Sequence, residues 1–319
     1  MICKIGVLIA IILYLPAEGY CQSTDTLINK LDSAKRRTDT IKQINQIEPK
    51  FYNERTKMNG RVFGILLLDD FKQQAFSPLE IKRKGWGVGA IIVGATVGLG
   101  FLDKPIQKAF VNFRNSNPGI DGTSRTITNV GGIYQGAVFA TIATAGYVFK
   151  NPKLRTTTAL ATQSYITSLF WSTIFKALSG RVRPVNFDPS DPINSNRFHG
   201  PFYTSNSSFP SQHSTLAFAA ARVYAMEYKD KPFVPIIAYS AATIISLSRL
   251  TENKHWATDI VAGALLGWAC GTQVVNNYHR YAKLVRTGQI KRKKKGDISF
   301  NLQYYPGSGI MPGMRYAFK

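Results

Sequence analysis

The sequence predicts an all-α protein, built on a core bundle of six helices and followed by a short C-terminal β-hairpin. Six apolar runs predict the helices, because several approach the ~20 residues that a helix needs to cross a bilayer. Their only charged residues are Arg222 and Asp259. A strict alternation of apolar and polar residues near the C-terminus predicts the hairpin. The runs lie at about 85–102, 127–149, 157–175, 214–226, 233–248 and 257–278.

The composition of these runs suits two environments. The chain has 319 residues, 45% of them hydrophobic, and a mean hydropathy of −0.09, which allows one substantial domain with tails. The runs are rich in Gly, Ala, Ser and Thr rather than Leu. This favours close helix packing in a membrane, and it equally suits a buried bundle in a soluble protein.

Residues 1–21 are predicted to be a signal peptide or an N-terminal anchor. Lys4 precedes an apolar run over 5–15, and Ala17-Glu18-Gly19 fits the small-residue rule for signal cleavage after the glycine. Residues 22–84 are charged, with weak helical periodicity and few aromatic residues. We expect this N-terminal extension to form one or two peripheral helices.

The helical core is expected over residues 85–279, and residues 280–319 are expected to form a basic linker and the hairpin. Apolar and polar residues alternate over 298–304 and again over 314–318, on either side of a turn with Pro and Gly. A terminal aromatic strand also resembles the last strand of an outer-membrane barrel. Two strands cannot close a barrel, so a small hairpin against the bundle is favoured.

The segment from Ser248 to Asp259 carries the strongest chemical signal. It places Arg249, His255 and Asp259 at fixed short spacings. If the chain is helical from His255 onward, His255 and Asp259 lie one turn apart on the same face. The carboxylate then accepts a hydrogen bond from one ring nitrogen and leaves the other as a nucleophile. The alternative is a surface arginine and an interfacial histidine, and this motif alone does not decide between the two.

Two upstream clusters support the first interpretation. Lys176 and Arg183 lie about two helical turns apart after an apolar run, and the proline that follows is expected to end the helix. Two cations there suit an oxyanion, although such charges often only complement a helix dipole. Residues 209–213 open another apolar run. The N–H groups of Ser211 and Gln212 are therefore expected to point out of a helix N-terminus, which is an anion site.

At these positions the chain resembles the superfamily of type 2 phosphatidic acid phosphatases and vanadium-dependent haloperoxidases. That signature reads K-x6-R-P, then P-S-G-H, then S-R-x5-H-x3-D, and all three blocks occur in order from Lys176 to Asp259. The flanking apolar segments extend the resemblance to about residues 85–276. One position departs, because Gln212 replaces the usual glycine. A helical glutamine still offers its backbone N–H, but a geometry that needs positive φ would strain it, which affects substrate preference more than activity.

The resemblance implies a metal-free mechanism through a phosphohistidine. His255 would attack phosphorus, Asp259 would fix its tautomer and stabilise the charged ring, and His213 would protonate the leaving oxygen and later deprotonate water. No metal or other cofactor is expected, since the sequence shows no carboxylate cluster, His-x-x-x-His pair or Walker loop. The implied phosphate ligands are the side chains of Lys176, Arg183 and Arg249, the Ser211 hydroxyl and the Gln212 N–H.

The distribution of charge predicts how the bundle is oriented. The net charge is +22, and basic clusters at 82–84, 150–155, 229–231 and 291–295 are expected at the end opposite the three blocks. By the positive-inside rule, that end faces the cytoplasm and the active site faces the periplasm. Relatives that act on lipids have six spans, which favours a multi-pass membrane protein over a soluble or peripheral periplasmic one. An exported signal followed by six spans would place the site inside, a conflict that one non-crossing span, such as 85–102, would remove.

The expected function is hydrolysis of a phosphomonoester or pyrophosphate on a lipid of a bacterial-type cell envelope. Candidate substrates are phosphatidate, a phosphatidylglycerol phosphate, a polyprenyl pyrophosphate and a lipid A phosphate. The expected partners are this substrate and the bilayer. No nucleic acid is expected, because no motif interleaves aromatic residues with cations, and no obligate protein partner is evident. The alternatives are a vanadate-dependent haloperoxidase, which resembles longer soluble chains, and a non-catalytic envelope protein on the same fold.

Overall fold

The structure is a computed structural model that describes residues 58–80, 83–132, 134–188, 190, 198–203, 206–286, 297–305 and 309–317. The expected signal or anchor and the basic run at 291–295 lie outside the described residues, as does the greater part of the expected N-terminal extension.

Nine α-helices are present in the described part of the chain, and short 3-10 turns follow the first, the second and the sixth of them. The turns are Ser77–Glu80, Gly100–Leu102 and Pro184–Asn186. The helices are α1 (Gly60–Phe76), α2 (Arg83–Leu99), α3 (Asp103–Asn115), α4 (Ile120–Gly131), α5 (Gln135–Val148), α6 (Pro152–Ser179), α7 (Gln212–Glu227), α8 (Phe233–Thr251) and α9 (Ala257–Arg286).

Helices α5 to α9 pack on one another and α2 lies against α9, so the prediction of an all-α fold built on these six helices is confirmed. The last turns of α6 and α8 and the first turns of α7 and α9 meet at one end of the bundle, which we call the site end. Helices α3 and α4 pack against the end of α8 there. The Gln107 amide of α3 donates to the Leu250 carbonyl at 3.2 Å, and the Ser124 hydroxyl of α4 lies 2.7 Å from that of Thr251.

The apolar run at 127–149 does not form one helix. Helix α4 ends at Gly131 and α5 begins at Gln135, and Gly132 between them has φ −119° and ψ −96°, outside the helical region. Two successive glycines favour such a break, since neither restricts the backbone. The break brings the backbone close to His213: a Cβ at Gly132 would lie 2.7 Å from its Nε2.

Helix α7 is the centre of the bundle and packs against α6, α8 and α9. Glycines at every fourth position of α9, from Gly263 to Gly271, face the backbone of α7. A Cβ at Gly263 would lie 2.5 Å from the Ser211 carbonyl oxygen, and one at Gly271 would lie 2.7 Å from that of Ala219. Glycine is needed here because the two helix backbones approach so closely. The stripe therefore fixes the first turn of α9 beside the first turn of α7.

Three described segments are long and apolar enough to cross a membrane, judged by length and composition: Gly85–Asn115, Phe233–Thr251 and Ala257–Leu284. The sequence predicts six spans. Helices α5 and α7 have 14 and 16 residues, fewer than the ~20 that span a hydrocarbon core.

Near the C-terminus, β1 (Asp297–Tyr305) and β2 (Gly309–Ala317) pair antiparallel, as predicted from the alternation. Asp297 lies opposite Ala317, and Tyr305 lies opposite Gly309. The two strands form a two-stranded sheet.

Candidate active site

The first block lies where α6 ends. Lys176 is in the last turn of this helix, which stops at Ser179 because Gly180 adopts the left-handed conformation with φ 53°. The expectation that Pro184 ends the helix is therefore wrong. Arg183 lies beyond the helix in extended backbone, so the two cations are not on one helical face.

The consecutive residues 206–208 hold the predicted cations Lys176 and Arg183 and the predicted nucleophile His255 together. Their segment also bonds to the chain that follows α6, since the Ser208 N–H donates to the Arg181 carbonyl at 2.8 Å. Each of the three carbonyl groups accepts a bond from a site residue: Asn206 from Arg183 Nε at 3.0 Å, Ser207 from Lys176 Nζ at 2.6 Å, and Ser208 from His255 Nδ1 at 2.7 Å.

His255 precedes α9 rather than lying in it, so its predicted placement one helical turn before Asp259 is wrong. The Asp259 carboxylate accepts the Trp256 N–H at 2.8 Å, which caps the helix and makes it begin at Ala257. His255 Nδ1 lies 3.6 Å from Asp259 Oδ2, beyond hydrogen-bonding distance. The nearer partner is the Ser208 carbonyl.

This contact determines the tautomer of His255. A carbonyl oxygen only accepts, so Nδ1 must carry the proton and Nε2 must carry the lone pair. Ser208 thus takes the tautomer-fixing role that the sequence assigns to Asp259, which is left with an electrostatic one. The ring is 2% exposed, and burial lowers the pKa of His255 to about 3. At neutral pH the ring is uncharged, which the predicted nucleophile requires.

The second block begins α7, and its backbone differs from the prediction. The Ser211 N–H donates to the Asp259 carbonyl at 2.9 Å, so the expectation that it points outward to an anion is wrong. The Ser211 hydroxyl is fully buried and accepts from Ser214 at 3.2 Å. Gln212 is the first residue of α7 with a negative φ, so the positive-φ strain considered above does not arise. Its side-chain amide lies 3.4 Å from the Ser172 hydroxyl of α6.

His213 occupies the first turn of α7, half-buried against Gly132. Burial, and after it the neighbouring cations Arg249, Lys176 and Arg183 in that order of importance, together lower the pKa of His213 to about 4. The three cations therefore lie near enough to the ring to act on its charge. The predicted acid and the predicted phosphate ligands are therefore brought to one place.

Arg249, in the last turn of α8, is 6% exposed and is held by two residues that the sequence blocks do not specify. Its Nη1 donates to the Glu252 carboxylate at 2.8 Å and to the Thr128 hydroxyl of α4 at 3.1 Å. Glu252 could have been found from the sequence, because residues three apart on a helix are neighbours. Thr128 could not have been found in this way, because it lies 121 residues from Arg249 in the sequence.

Lys176 is the predicted cation with the most strongly perturbed environment. Burial and, to a smaller extent, the nearby Arg183 lower the pKa of Lys176 to about 7, although Asp259 opposes the shift. This ammonium changes its charge near neutral pH, whereas a guanidinium keeps its charge.

Sequence reasoning missed Arg181, which lies between the two cations of the first block. It is 2% exposed, and its guanidinium bridges two carboxylates. Nη1 donates to Asp259 Oδ1, and Nη2 donates to Asp103 Oδ2 at 2.5 Å. Nη1 also donates to the Thr258 hydroxyl at 2.6 Å. Asp103 is 78 residues away in the sequence, and no spacing pattern links the two.

The site thus consists of a buried, uncharged histidine beside cations, at the ends of helices that are apolar enough to cross a membrane. The comparison with protein families agrees with this description. Residues 155–283 match the model of the PAP2 superfamily. This match covers the three sequence blocks and agrees, over these residues, with the resemblance that the blocks indicate.

Individual relatives are similar over smaller parts. Lipid A 1-phosphatase of Porphyromonas gingivalis is 36% identical over 69 residues, which are 21% of this chain. The match spans only 16% of the length of that curated relative. Among solved structures, a transmembrane PAP2-type phosphatidylglycerolphosphate phosphatase from Bacillus subtilis has a TM-score of 0.45 at 21% identity, covering 65% of this chain and 98% of its own. Aquifex aeolicus LpxE has a TM-score of 0.40 at 20% identity, covering 55% and 95% respectively.

Proposed function

We propose that this protein is a metal-independent phosphatase that hydrolyses a phosphomonoester or pyrophosphate on a lipid through a phosphohistidine. The observation that carries the proposal is the state of His255. Its Nδ1 is bonded to the Ser208 carbonyl at 2.7 Å, its ring is uncharged, and Lys176 and Arg183 are anchored by the two adjacent carbonyls. A nucleophilic nitrogen is thus placed beside the cations that a phosphoryl group requires.

In the first step, His255 Nε2 attacks phosphorus and the bond to the leaving oxygen breaks. His213 gives its proton to that oxygen, and the products are a phosphohistidine and an alcohol, or a phosphate when the substrate is a pyrophosphate. In the second step, water attacks phosphorus, His213 takes a proton from it, and the N–P bond breaks to release phosphate. Asp259 stabilises the positive ring in both steps.

The cations stabilise the oxygens that do not react. Lys176, Arg183 and Arg249 donate to them, and the Gln212 N–H at the start of α7 adds a backbone donor. We propose the Ser211 hydroxyl as a further phosphate ligand, which would rotate away from Ser214 to contact the phosphate. Such preorganised donors act mainly on the transition state, so their loss lowers kcat more than it raises KM.

A lipid substrate is supported by the three membrane-type segments, two of which flank His255 directly, α8 before it and α9 after it. We propose that a phosphate carried on a lipid headgroup reaches the site at the ends of these helices. The name of the Porphyromonas relative puts a lipid A phosphate among the candidates. Phosphatidate, a phosphatidylglycerol phosphate and a polyprenyl pyrophosphate share the same reacting group.

We place the protein in a bacterial-type envelope membrane, with the site facing the periplasm. Lys150, Lys153 and Arg155 lie where α6 begins, and Lys176 lies where it ends. The 28 residues of α6 span ~42 Å, so these basic residues are at the end opposite the site. The positive-inside rule assigns that basic end to the cytoplasm.

The test is phosphate release by purified protein in detergent with EDTA, measured on the four lipid phosphates and on a soluble aryl phosphate. Wild-type protein should release phosphate and His255→Ala should not. His279→Gln is the matched control: His279 Nε2 contacts Glu227 at 2.6 Å, and a glutamine amide can replace that donor. A brief reaction with labelled substrate should leave an acid-labile phosphoryl group on the wild type and on His279→Gln, but not on His255→Ala.

Two results would contradict the proposal. If His255→Ala still releases phosphate, the phosphohistidine intermediate is ruled out. No release from any substrate, together with bromide oxidation by peroxide when vanadate is added, would identify the haloperoxidase alternative, and inertness in both assays would identify the non-catalytic one.

A further inference from the structure

A row of buried charges extends from His255 into the bundle and ends on α3. It consists of Asp259, Arg181 and Asp103, whose exposed fractions are 0%, 2% and 0%. We call these three residues the charge row. Ionised groups so deeply buried are costly unless they pair, and here each carboxylate contacts one nitrogen of the same guanidinium.

The contacts of Asp259 show what Arg181 does. One carboxylate oxygen receives Arg181 Nη1, and the other receives the Trp256 N–H and faces His255 at 3.6 Å. The Arg181 contact, together with the Trp256 N–H, therefore fixes which oxygen faces the imidazole. It also keeps this carboxylate ionised, because an adjacent cation favours the charged form of a buried acid.

Asp103 in turn holds Arg181. Its Oδ2 receives Arg181 Nη2 at 2.5 Å and the Thr258 hydroxyl at 2.8 Å, while its Oδ1 receives the Thr258 N–H at 3.0 Å. Thr258 lies in the first turn of α9, next to Asp259. Asp103 thus ties the start of α3 to the start of α9, with the guanidinium fixed between them.

The sum of these charges matters for the reaction. One carboxylate suffices to neutralise one guanidinium, and the second gives the charge row a net charge of −1. That negative charge lies behind a ring that becomes positive when His255 bonds to phosphorus. A structural ion pair would need no second carboxylate.

We propose that Asp103 and Arg181 are positioning residues of the proposed phosphatase, holding Asp259 oriented and ionised behind His255. The inference rests on the proposed function, since it assigns these residues to the stabilisation of the phosphohistidine and of the transition state that leads to it. Neither residue touches the substrate.

The test compares Asp103→Asn with Asp121→Asn, the matched control, because Asp121 also pairs with an arginine, Arg125 at 2.8 Å, but on the surface of α4. Asp103→Asn should lower kcat by about 10- to 100-fold, the range seen when an outer partner of a functional group is removed, with KM little changed. Asp121→Asn should match the wild type. Both proteins should be monodisperse in detergent.

A second measurement separates positioning from a purely structural role and needs no turnover. Thermal shift gives the affinities for vanadate, which imitates the five-coordinate transition state on a histidine nitrogen, and for inorganic phosphate, which does not. Asp103→Asn should lower the affinity for vanadate by the same factor as it lowers kcat, and it should leave the affinity for phosphate unchanged. If Asp103→Asn does not fold, Thr258→Val, which removes the hydroxyl shared by Arg181 and Asp103, should show the same pattern more weakly.

The outcomes are distinct. Wild-type protein without phosphatase activity refutes the proposed function. Active wild type with Asp103→Asn equal to Asp121→Asn refutes the inference alone, and so does an equal loss of vanadate and phosphate affinity in the folded variant. In the Thr258→Val arm, unchanged kcat and vanadate affinity refute it.

Discussion

Replacing Asp259 by asparagine tests how this site stabilises charge. The side chain keeps its size, and the amide oxygen can still accept the Trp256 N–H that begins α9. The change removes the negative charge that lies 3.6 Å from His255 Nδ1. Because Ser208 fixes the tautomer, the variant should retain a correctly oriented, neutral His255 and lose only the stabilisation of its charged form.

The magnitude follows from that separation. Two unit charges 3.6 Å apart attract by ~4.6 kcal/mol at an effective dielectric constant of about 20. If half of the ring charge has developed in the transition state, the loss is ~2.3 kcal/mol, or about 50-fold in kcat. A fully charged ring gives about 2,000-fold. We therefore expect kcat of Asp259→Asn to fall between these limits, with KM within about threefold of the wild type.

The assay is steady-state phosphate release from the best lipid substrate, with Asp121→Asn as the control for loss of a carboxylate elsewhere. A far larger loss, equal to that of His255→Ala, would mean that Asp259 rather than Ser208 sets the tautomer. A loss below about fivefold would refute the electrostatic role. So would a variant whose KM rises while kcat is unchanged, since the interaction would then act on substrate binding.

Three further predictions follow from the surroundings of the site. As pH rises through about 7, kcat/KM should fall because Lys176 loses its proton, and Lys176→Arg should remove this part of the pH profile, since a guanidinium stays charged. Gly132→Ala should lower kcat at least ~10-fold, because its Cβ would lie 2.7 Å from His213 Nε2, whereas Gly136→Ala, which meets nothing within 4 Å, should not. Gly267→Ala should destabilise the protein by about 1–3 kcal/mol in thermal unfolding, because its Cβ would overlap the α7 backbone.

The sequence predicted the bundle well because burial patterns are local. Apolar runs of helical length mark α2 and α5 to α9 whatever they pack against. The run at 127–149 was misjudged because hydropathy does not register the two glycines that break it before Gln135. The residues of the site were also recognisable, since each block has a fixed spacing within a few turns of chain.

The partners of those residues could not be predicted in the same way. Ser208 and Asp103 contact His255 and Arg181 across 47 and 78 residues, and only the packed fold brings them together. The helical placement of His255 failed for a local reason instead. The Asp259 side chain caps α9, and a capping carboxylate begins a helix after the residue whose N–H it accepts.

The charges of the site support the proposal that His213, whose pKa is about 4, serves as a general acid near pH 7. Among the described residues, a phosphate dianion would meet an excess of positive charge, because four cations lie there against three carboxylates. Burial and, after it, the cations Arg249, Lys176 and Arg183 keep the pKa of His213 low. A bound dianion neutralises them, so it raises the pKa of His213 and favours the proton that the leaving oxygen needs. In this proposal His213 is protonated when the phosphate binds. It is therefore charged only while a substrate with a bond to the leaving oxygen is present. The cations are Lys176, Arg181, Arg183 and Arg249, and the carboxylates are Asp103, Glu252 and Asp259.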